Sequence, residues 1–316
     1  MKRLMRIGAF TLLCAILLSA PWAIKGAVVD VRERIRPKDE RWHGVVSVGV
    51  VPTFPMERAE SWLKTCAKLF AEENDNVLVT VREMTKMGMQ TSAAAQTLPD
   101  VMVFGKMVLE EGERKAWLAE ESIRPIAAGA YALLGNRALL EQAGWREEMS
   151  AQETLALERV RVAVPKREYG EPMAALRSMG SAENAVEDLY ARVWPDFALE
   201  GKYALYVATQ REIMRMQQLR SAGRGGETVL IVPEKPYAED QTLMCASVRA
   251  EFTARQDDAA CTQWADMWMK FLEQEAQQAE LAQAGLFSVQ GDAGLYAEGH
   301  PLYRVEELMP ACGRLS

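Results

Sequence analysis

The pattern of apolar positions changes from continuous runs to helical spacing and back within a short stretch of the chain. Gly44–Pro52 is a continuous run of small and β-branched residues, typical of a strand that is buried on both faces. Residues 55–74 have apolar positions at helical spacing. Val77–Val81 and Pro99–Phe104 return to the strand pattern, and an alanine-rich helix is predicted at Thr91–Gln96 between them. This order of elements predicts a parallel, doubly wound α/β sheet.

The second half of the chain carries more segments of both kinds. The predicted strands are Val160–Val164, Tyr203–Val207, Thr228–Val232 and Leu243–Val248. The predicted helices are Ala182–Val193, Gln210–Arg220 and a long helix at Thr262–Ala284 that Gly285 ends. The helical spacing of Trp62, Trp264 and Trp268 predicts that these three side chains belong to the core.

The first 43 residues differ from the rest. Lys2, Arg3 and Arg6 precede Ile7–Ile24, which is uncharged and mostly apolar. Positive charge before such a run keeps the amino terminus in the cytoplasm and sends the following chain outward. We expect residues 1–25 to be a signal peptide or an uncleaved membrane anchor, and residues 26–43 a tether. The folded part should therefore be extracytoplasmic, either attached to the outer face of the cytoplasmic membrane or secreted.

Length and charge narrow the class of protein further. The 316 residues suit two lobes of roughly 100–150 residues each. The formal net charge of −7 argues against binding to nucleic acid, which requires a basic face.

Outside the N-terminal segment the cysteines are Cys66, Cys245, Cys261 and Cys312. Export permits disulfides, but we expect mostly free and buried thiols because free cysteine behaves as a small core residue.

The sequence offers little for catalysis. Its two histidines, His43 and His300, lie near the ends of the chain, and neither has a second ligand at zinc spacing. Nucleophile-elbow, Walker and dinucleotide-binding motifs are missing from the sequence. We therefore predict that the chain is not an enzyme and needs no cofactor or metal. The alternative is an exported enzyme on a similar scaffold, since fold alone does not determine function.

Four local patterns share their order with a known family. They are Leu98-Pro99-Asp100-Val101, the stretch Ala132–Gly144 with Asn136 and Glu141-Gln142-Ala143-Gly144, Gly201-Lys202-Tyr203-Ala204-Leu205, and Ala276–Val289 with Leu286-Phe287-Ser288-Val289. In this order, over roughly 240 residues, the chain resembles the family 1 extracellular solute-binding proteins of bacterial ABC importers, the class that contains maltose-binding protein.

The resemblance implies a two-lobed, periplasmic-binding-protein-like α/β fold of type II with a hinge between the lobes. Lobe 1 would comprise residues 44–134 and 242–316, and lobe 2 residues 135–241, with crossing strands near 132–136 and 236–243. It also implies a monomer that captures a small polar solute, a saccharide above all, and delivers it to an ABC permease in the membrane.

The sequence also departs from this family. The Thr-Trp-Asp-Glu-like stretch that follows the Ala-Gly in sugar-binding members is missing, and the region between Trp145 and Tyr190 is short. These departures favour a second hypothesis. In it the chain is a scaffold or sensor partner at the membrane surface that has kept the fold and lost transport.

Parallel sheets bind ligands beyond the carboxyl ends of their strands, and two-lobed proteins bind them beside the crossings. Residues at these positions are the predicted ligand-binding residues. They are Thr53, Phe54, Phe104, Lys106, Tyr131, Arg211, Tyr237 and Asp240. The alternative for each aromatic residue is packing in a lobe, and for each charged residue a solvated surface position.

The export hypothesis leads to a first prediction. Protease added to intact spheroplasts should degrade residues 44–316, because the folded part lies outside the cytoplasmic membrane. The measurement is an immunoblot against the folded part, with a known external protein as the digestion control. Full protection under conditions that digest the control would contradict this prediction.

Overall fold

The computed structural model describes residues 42–51, 59–235, 237–238, 241–254, 259–290 and 294–309. The described residues from Gly44 onwards form one compact unit. The predicted membrane segment Ile7–Ile24 lies outside the described residues, as does Cys312. No helix in the described ranges is long and apolar enough to cross a bilayer.

The first sheet has five strands in the order β2-β1-β3-β10-β4. They are β1 (Gly44–Val51), β2 (Val77–Glu83), β3 (Val101–Gly105), β4 (Arg124–Ala127) and β10 (Leu243–Ser247). β1 pairs in parallel with β2 and β3, while β10 runs antiparallel to β3 and β4. The parallel arrangement predicted for the first three strands is confirmed, and a late strand from the distant end of the chain completes the sheet.

The pair Pro99-Asp100 connects the start of β3 to β1. The Asp100 carboxylate accepts hydrogen bonds from the backbone N–H and the hydroxyl of Ser47, both at 2.7 Å. The Asp100 N–H in turn donates to the Ser47 hydroxyl at 3.0 Å. A short acidic side chain is well suited here because it satisfies two donors of the neighbouring strand at once.

The second sheet also has five strands, in the order β7-β6-β8-β5-β9. They are β5 (Tyr131–Asn136), β6 (Val162–Lys166), β7 (Ala185–Leu189), β8 (Leu205–Thr209) and β9 (Thr228–Ile231). β6 is parallel to β7 and β8, and β5 is antiparallel to β8 and β9. The predicted α/β fold class is therefore confirmed, and the structure shows that both sheets are mixed rather than purely parallel.

Twelve α-helices are described in the ranges given above. They are α1 (Ala59–Glu73), α2 (Lys86–Ala94), α3 (Glu111–Trp117), α4 (Arg137–Gln142), α5 (Ala151–Leu155), α6 (Pro172–Met179), α7 (Tyr190–Ala198), α8 (Gln210–Ser221), α9 (Ala259–Leu272), α10 (Glu275–Ala279), α11 (Leu281–Ala284) and α12 (Tyr303–Leu308).

The predicted core aromatics join α1 to α9. Phe70 of α1 packs edge-on against Trp268 and Phe271 of α9, with ring centroids 5.5 and 5.2 Å apart. Trp62 and Trp268 are buried, as predicted, and Trp264 is half-buried at the margin of the cluster. Cys66, Cys245 and Cys261 are buried, and none of the three is in a disulfide within the described ranges.

Two helix predictions were wrong. Residues 185–189 of the predicted helix Ala182–Val193 form β7, because parallel pairing with β6 overrides their helical spacing. The predicted helix Thr262–Ala284 is divided into α9, α10 and α11. The Gln278 amide donates to the carbonyls of Leu272 and Ile126, both at 2.9 Å, so a side chain satisfies the end of α9 and links it to β4.

The packing between β1 and the turn before β3 predicts the effect of a single methyl group. A Cβ at Gly49 would lie 2.6 Å from Pro99 Cγ and 2.8 Å from Met84 Sδ. Gly49→Ala should lower the free energy of unfolding by about 1–3 kcal/mol, as overpacking does. Gly112→Ala in α3 is the matched control, since nothing lies within 4 Å of its added Cβ. Urea denaturation that shows equal stability for both variants would contradict the packing described.

Candidate functional site

Three segments of the chain meet between the two sheets. Ala128 and Phe287 exchange backbone hydrogen bonds of 2.9 and 2.8 Å. The Gly129 N–H donates to the Gln241 carbonyl at 2.8 Å, and the Tyr131 N–H donates to the Tyr237 carbonyl at 3.0 Å. The first crossing is therefore at residues 128–130, slightly before the predicted stretch 132–136, which forms most of β5. We call these three segments the crossing.

The backbone of the crossing lies very close to one side chain. A Cβ on Gly129 would lie 2.4 Å from Nε2 and 2.6 Å from Oε1 of Gln210. The same Oε1 accepts the Ala130 N–H at 3.1 Å. The first residue of α8 thus lies directly against the backbone that connects the sheets, and a side chain at position 129 would displace the Gln210 amide from its bond to Ala130.

Two tyrosines border the crossing. The rings of Tyr131 and Tyr237 have centroids 6.2 Å apart with an interplanar angle of 43°. The Tyr131 hydroxyl accepts from the Gln241 amide at 3.1 Å. The Tyr237 hydroxyl donates to the Glu171 carboxylate at 3.0 Å. Tyr131 is fully buried and Tyr237 half-buried, so Tyr237 is the more accessible of the pair.

A buried ion pair lies at the N-terminus of α8. Arg167, which follows β6, contacts Glu212, and their side chains are only 4% and 3% exposed. Glu212 also accepts from the Thr209 hydroxyl and from the Thr209 N–H, the latter at 2.8 Å, which completes a capping box. The Arg167 guanidinium lies 5.6 Å from the centroid of the Tyr190 ring.

The charges of this pair act on their surroundings. Burial by itself would lower the pKa of Arg167, but the Glu212 carboxylate, together with Tyr206 and Tyr131, raises it above its ordinary value. Burial, followed by the negative charge of Glu212, raises the pKa of Tyr206 well above its ordinary value. Both groups therefore keep their usual protonation states at neutral pH. The Tyr206 hydroxyl has no hydrogen-bond partner among the described residues.

The loop after β6 reaches the first sheet. The Tyr169 ring packs against a cluster of side chains around β3, and the Lys86 Nζ lies 6.0 Å from its centroid. Burial, followed by a hydrogen bond to Glu168, raises the pKa of Tyr169 to about 12. Two residues further on, Glu171 makes the bond to Tyr237 described above. This loop therefore connects the second sheet to both the first sheet and the crossing.

The structure separates the predicted ligand-binding residues into groups. Thr53, Phe54 and Asp240 lie outside the described residues. Tyr131 and Tyr237 come together at the crossing, as stated above.

The other three take different positions. Phe104 is fully buried in a cluster with Val108 and Leu118, whereas Lys106 is half-buried and its N–H donates to the Thr242 carbonyl at 2.9 Å. Arg211 is buried near Tyr296. Burial, followed by the charge of Glu306, raises the pKa of Tyr296, and the Arg211 charge only partly opposes this rise. That these residues contact a ligand stays a prediction.

Sequence reasoning missed Arg167, Glu171 and Glu212. The spacing of Thr209 and Glu212 is typical of a capping box, which marks the start of a helix. It does not predict that Glu212 also pairs with an arginine that follows β6. Within the described ranges, no three His, Cys, Asp or Glu side chains come together as a metal site would need.

Comparisons with known proteins identify the fold. No family model and no curated protein sequence matches the chain. Among solved structures, it is similar to the galacto-N-biose-/lacto-N-biose I-binding protein of an ABC transporter from Bifidobacterium longum. The TM-score is 0.63 and the identity 12%, over 86% of each chain.

Two further structures belong to the same group. The maltose/maltodextrin-binding domain MalE from Bdellovibrio bacteriovorus matches with a TM-score of 0.55 and 11% identity, over 84% of this chain and 87% of that one. A domain described as the substrate-binding part of a molybdenum ABC transporter from Clostridium difficile matches with a TM-score of 0.53 and 11% identity, over 78% and 99%. The fold is therefore that of the solute-binding proteins of ABC transporters, and the resemblance seen in the sequence is confirmed at the level of fold.

The buried ion pair leads to a third prediction. Glu212→Gln should lower the free energy of unfolding by about 3–5 kcal/mol, because it leaves the Arg167 charge buried without its partner. The double variant Arg167→Met/Glu212→Gln should lose less than the sum of the two single variants, because it removes both charges.

The measurement is a double-mutant cycle by urea denaturation. Glu111→Gln is the control, since it breaks an exposed ion pair with Lys115 and should leave the midpoint unchanged. Additive losses in the cycle would show that Arg167 and Glu212 do not interact as described.

Proposed function

We propose that this chain is an extracytoplasmic solute-binding protein that captures a small polar solute between its two sheets for an ABC permease. The observation that carries the proposal is the crossing, where Tyr131, Tyr237, Gln210 and Gln241 come together in a fold shared with solute-binding proteins. We propose further that the sheets are the centres of two lobes, 44–134 with 242–316 and 135–241, joined by a hinge at the crossing.

A saccharide is the solute that this chemistry supports best. Sugar rings offer an apolar face to aromatic side chains and hydroxyl groups to amides and charged groups. The crossing provides two tyrosine rings and two amide side chains within a few residues of one another. Two of the structures similar to this chain contain lacto-N-biose and maltotriose.

The proposed location depends on the N-terminal segment. Its positive flank and apolar run would export the folded part and hold it at the membrane, where a permease could receive the solute. The chain would then act as a monomer without any cofactor or catalytic activity.

The polar groups of the crossing already form hydrogen bonds with one another, and this favours a second function. Glu171 accepts from Tyr237, Gln241 donates to Tyr131, and Gln210 accepts from the Ala130 N–H. A solute would have to replace such bonds rather than find open partners. This arrangement supports a scaffold or sensor partner that has kept the fold and lost transport.

The fourth prediction separates these two functions. A library of saccharides, amino acids and short peptides is screened for a rise in melting temperature. A true ligand should then bind Tyr237→Ala about tenfold more weakly in calorimetry, because stacking and buried ring area are lost. Leu78→Ala, on the outer strand of the first sheet and 54% exposed, is the control and should bind like the wild type.

Each result of this screen decides something. A ligand that binds Tyr237→Ala as tightly as the wild type would refute the site at the crossing. If no compound stabilises the protein, the scaffold function is favoured over transport.

Phe104→Ala should lower the free energy of unfolding by about 3–5 kcal/mol, because Phe104 is fully buried.

A further inference from the structure

A groove of about 920 Å³ lies on the second sheet, away from the crossing. It is lined by β9 with residue 232, and by residues 298–301 with α12. Trp145, which is buried, and residues 147–149 also line it. We call this the β9 groove. Neither the proposed solute site nor the fold's similarity to binding proteins accounts for it.

β9 is the last strand of its sheet, and among the residues that the structure describes no strand pairs with its outer edge. The alternation of its backbone groups follows from the ladder with β5. The Arg137 N–H donates to the Glu227 carbonyl at 3.0 Å, and Gly135 pairs with Val229 in the same register. Because neighbouring residues of an antiparallel strand alternate, Thr228 and Leu230 direct their N–H and carbonyl groups away from β5 and towards the groove.

These outward groups are largely unused. The Thr228 carbonyl receives only a long contact of 3.5 Å from Arg220. In the part of the chain that the structure describes, Leu230 makes no hydrogen bond outside the ladder. Such an edge is a template on which an extended peptide can add as a further strand.

The side chains of β9 alternate between two apolar clusters on the two faces of the sheet. Val229 and Ile231 pack with Trp145, while Leu230 packs on the opposite face, in the cluster that holds Tyr303. A strand added beside β9 would therefore extend both faces. Its alternate side chains would continue the Trp145 cluster on one face and the Tyr303 cluster on the other.

The charge of the groove selects the kind of peptide. Four exposed carboxylates line it, those of Glu147, Glu148, Glu298 and Glu307. The two arginines among the lining residues are Arg137 and Arg304. Arg137 is already surrounded by Glu141, Glu147 and Glu227, with its nearest contact at 3.0 Å. The groove is therefore acidic, and this favours a positively charged partner.

From the free edge and the acidic rim together, we infer that the β9 groove binds an extended, basic peptide segment of a protein partner by strand addition. This interaction surface is separate from the solute site at the crossing, so either can be present without the other.

The test measures binding by fluorescence anisotropy. The probe is a labelled octapeptide of alternating lysine and valine with blocked ends, which should bind the wild-type chain. A copy with N-methyl groups on four consecutive central residues should bind about tenfold more weakly or worse, because it cannot donate to the strand edge. A copy with glutamate in place of lysine should not bind.

Two variants test whether the peptide binds at β9. Leu230→Pro removes an outward N–H, which an edge strand tolerates, and should weaken binding about tenfold. Glu147→Lys/Glu148→Lys should weaken it roughly threefold to tenfold by reversing the rim charge. Glu120→Lys/Glu121→Lys makes the same change of net charge on two exposed carboxylates elsewhere and should leave binding unchanged.

Three results would overturn the inference. They are no binding of the lysine peptide, equal binding of the N-methylated copy, and equal weakening by the two charge-reversal pairs. The last two would mean that the peptide senses only the overall negative charge. Should Leu230→Pro fail to fold, as judged by circular dichroism, the N-methylated peptide still tests strand pairing on the unaltered chain.

Discussion

The connection between the two sheets depends on the close approach of the Gly129 backbone to Gln210. Three successive buried N–H groups, those of residues 129, 130 and 131, each have a different acceptor. Those acceptors come from α8 and from the return segment near Tyr237 and Gln241, which are far away along the chain. Because a buried backbone donor without a partner is costly, the first crossing keeps this path only when both distant segments are in place.

The ion pair between Arg167 and Glu212 extends this dependence to the rest of the second sheet. It joins the end of β6 to the start of α8, whose first residue contacts the crossing. Buried ion pairs contribute little net stability compared with apolar packing, but breaking one is costly. The pair therefore mainly fixes the end of β6 and the start of α8 relative to each other. It holds the start of the loop in which Tyr169 packs against the first sheet and Glu171 accepts from Tyr237.

The two proposed surfaces use different physical properties of the same sheet. The solute site would lie where polar side chains and backbone groups from several segments converge, and most of those groups are already paired with one another. The β9 groove is the opposite case, since its backbone groups belong to one edge strand and face outward, beneath a rim of carboxylates. Binding at the crossing would exchange existing hydrogen bonds, whereas binding at the groove would add new ones.

The sequence by itself determined the local elements and the fold class. Several local patterns predicted what the structure contains: the β-branched runs at β1 and β6, the helical face of α1 and the Pro99-Asp100 pair. Burial on both faces of a strand, or along one face of a helix, requires apolar residues at regular positions, and this regularity is visible in the sequence. Tertiary structure decided what local periodicity does not encode. Pairing with β6 made residues 185–189 a strand, and the Gln278 side chain bonds to the carbonyl at the end of α9.

Tertiary structure also decided the candidate site. Tyr131 and Tyr237 were predictable from their position at a crossing, but the partners Glu171, Arg167 and Glu212 come from other elements of the second sheet. Their contacts depend on how those elements pack, which no spacing along the chain records.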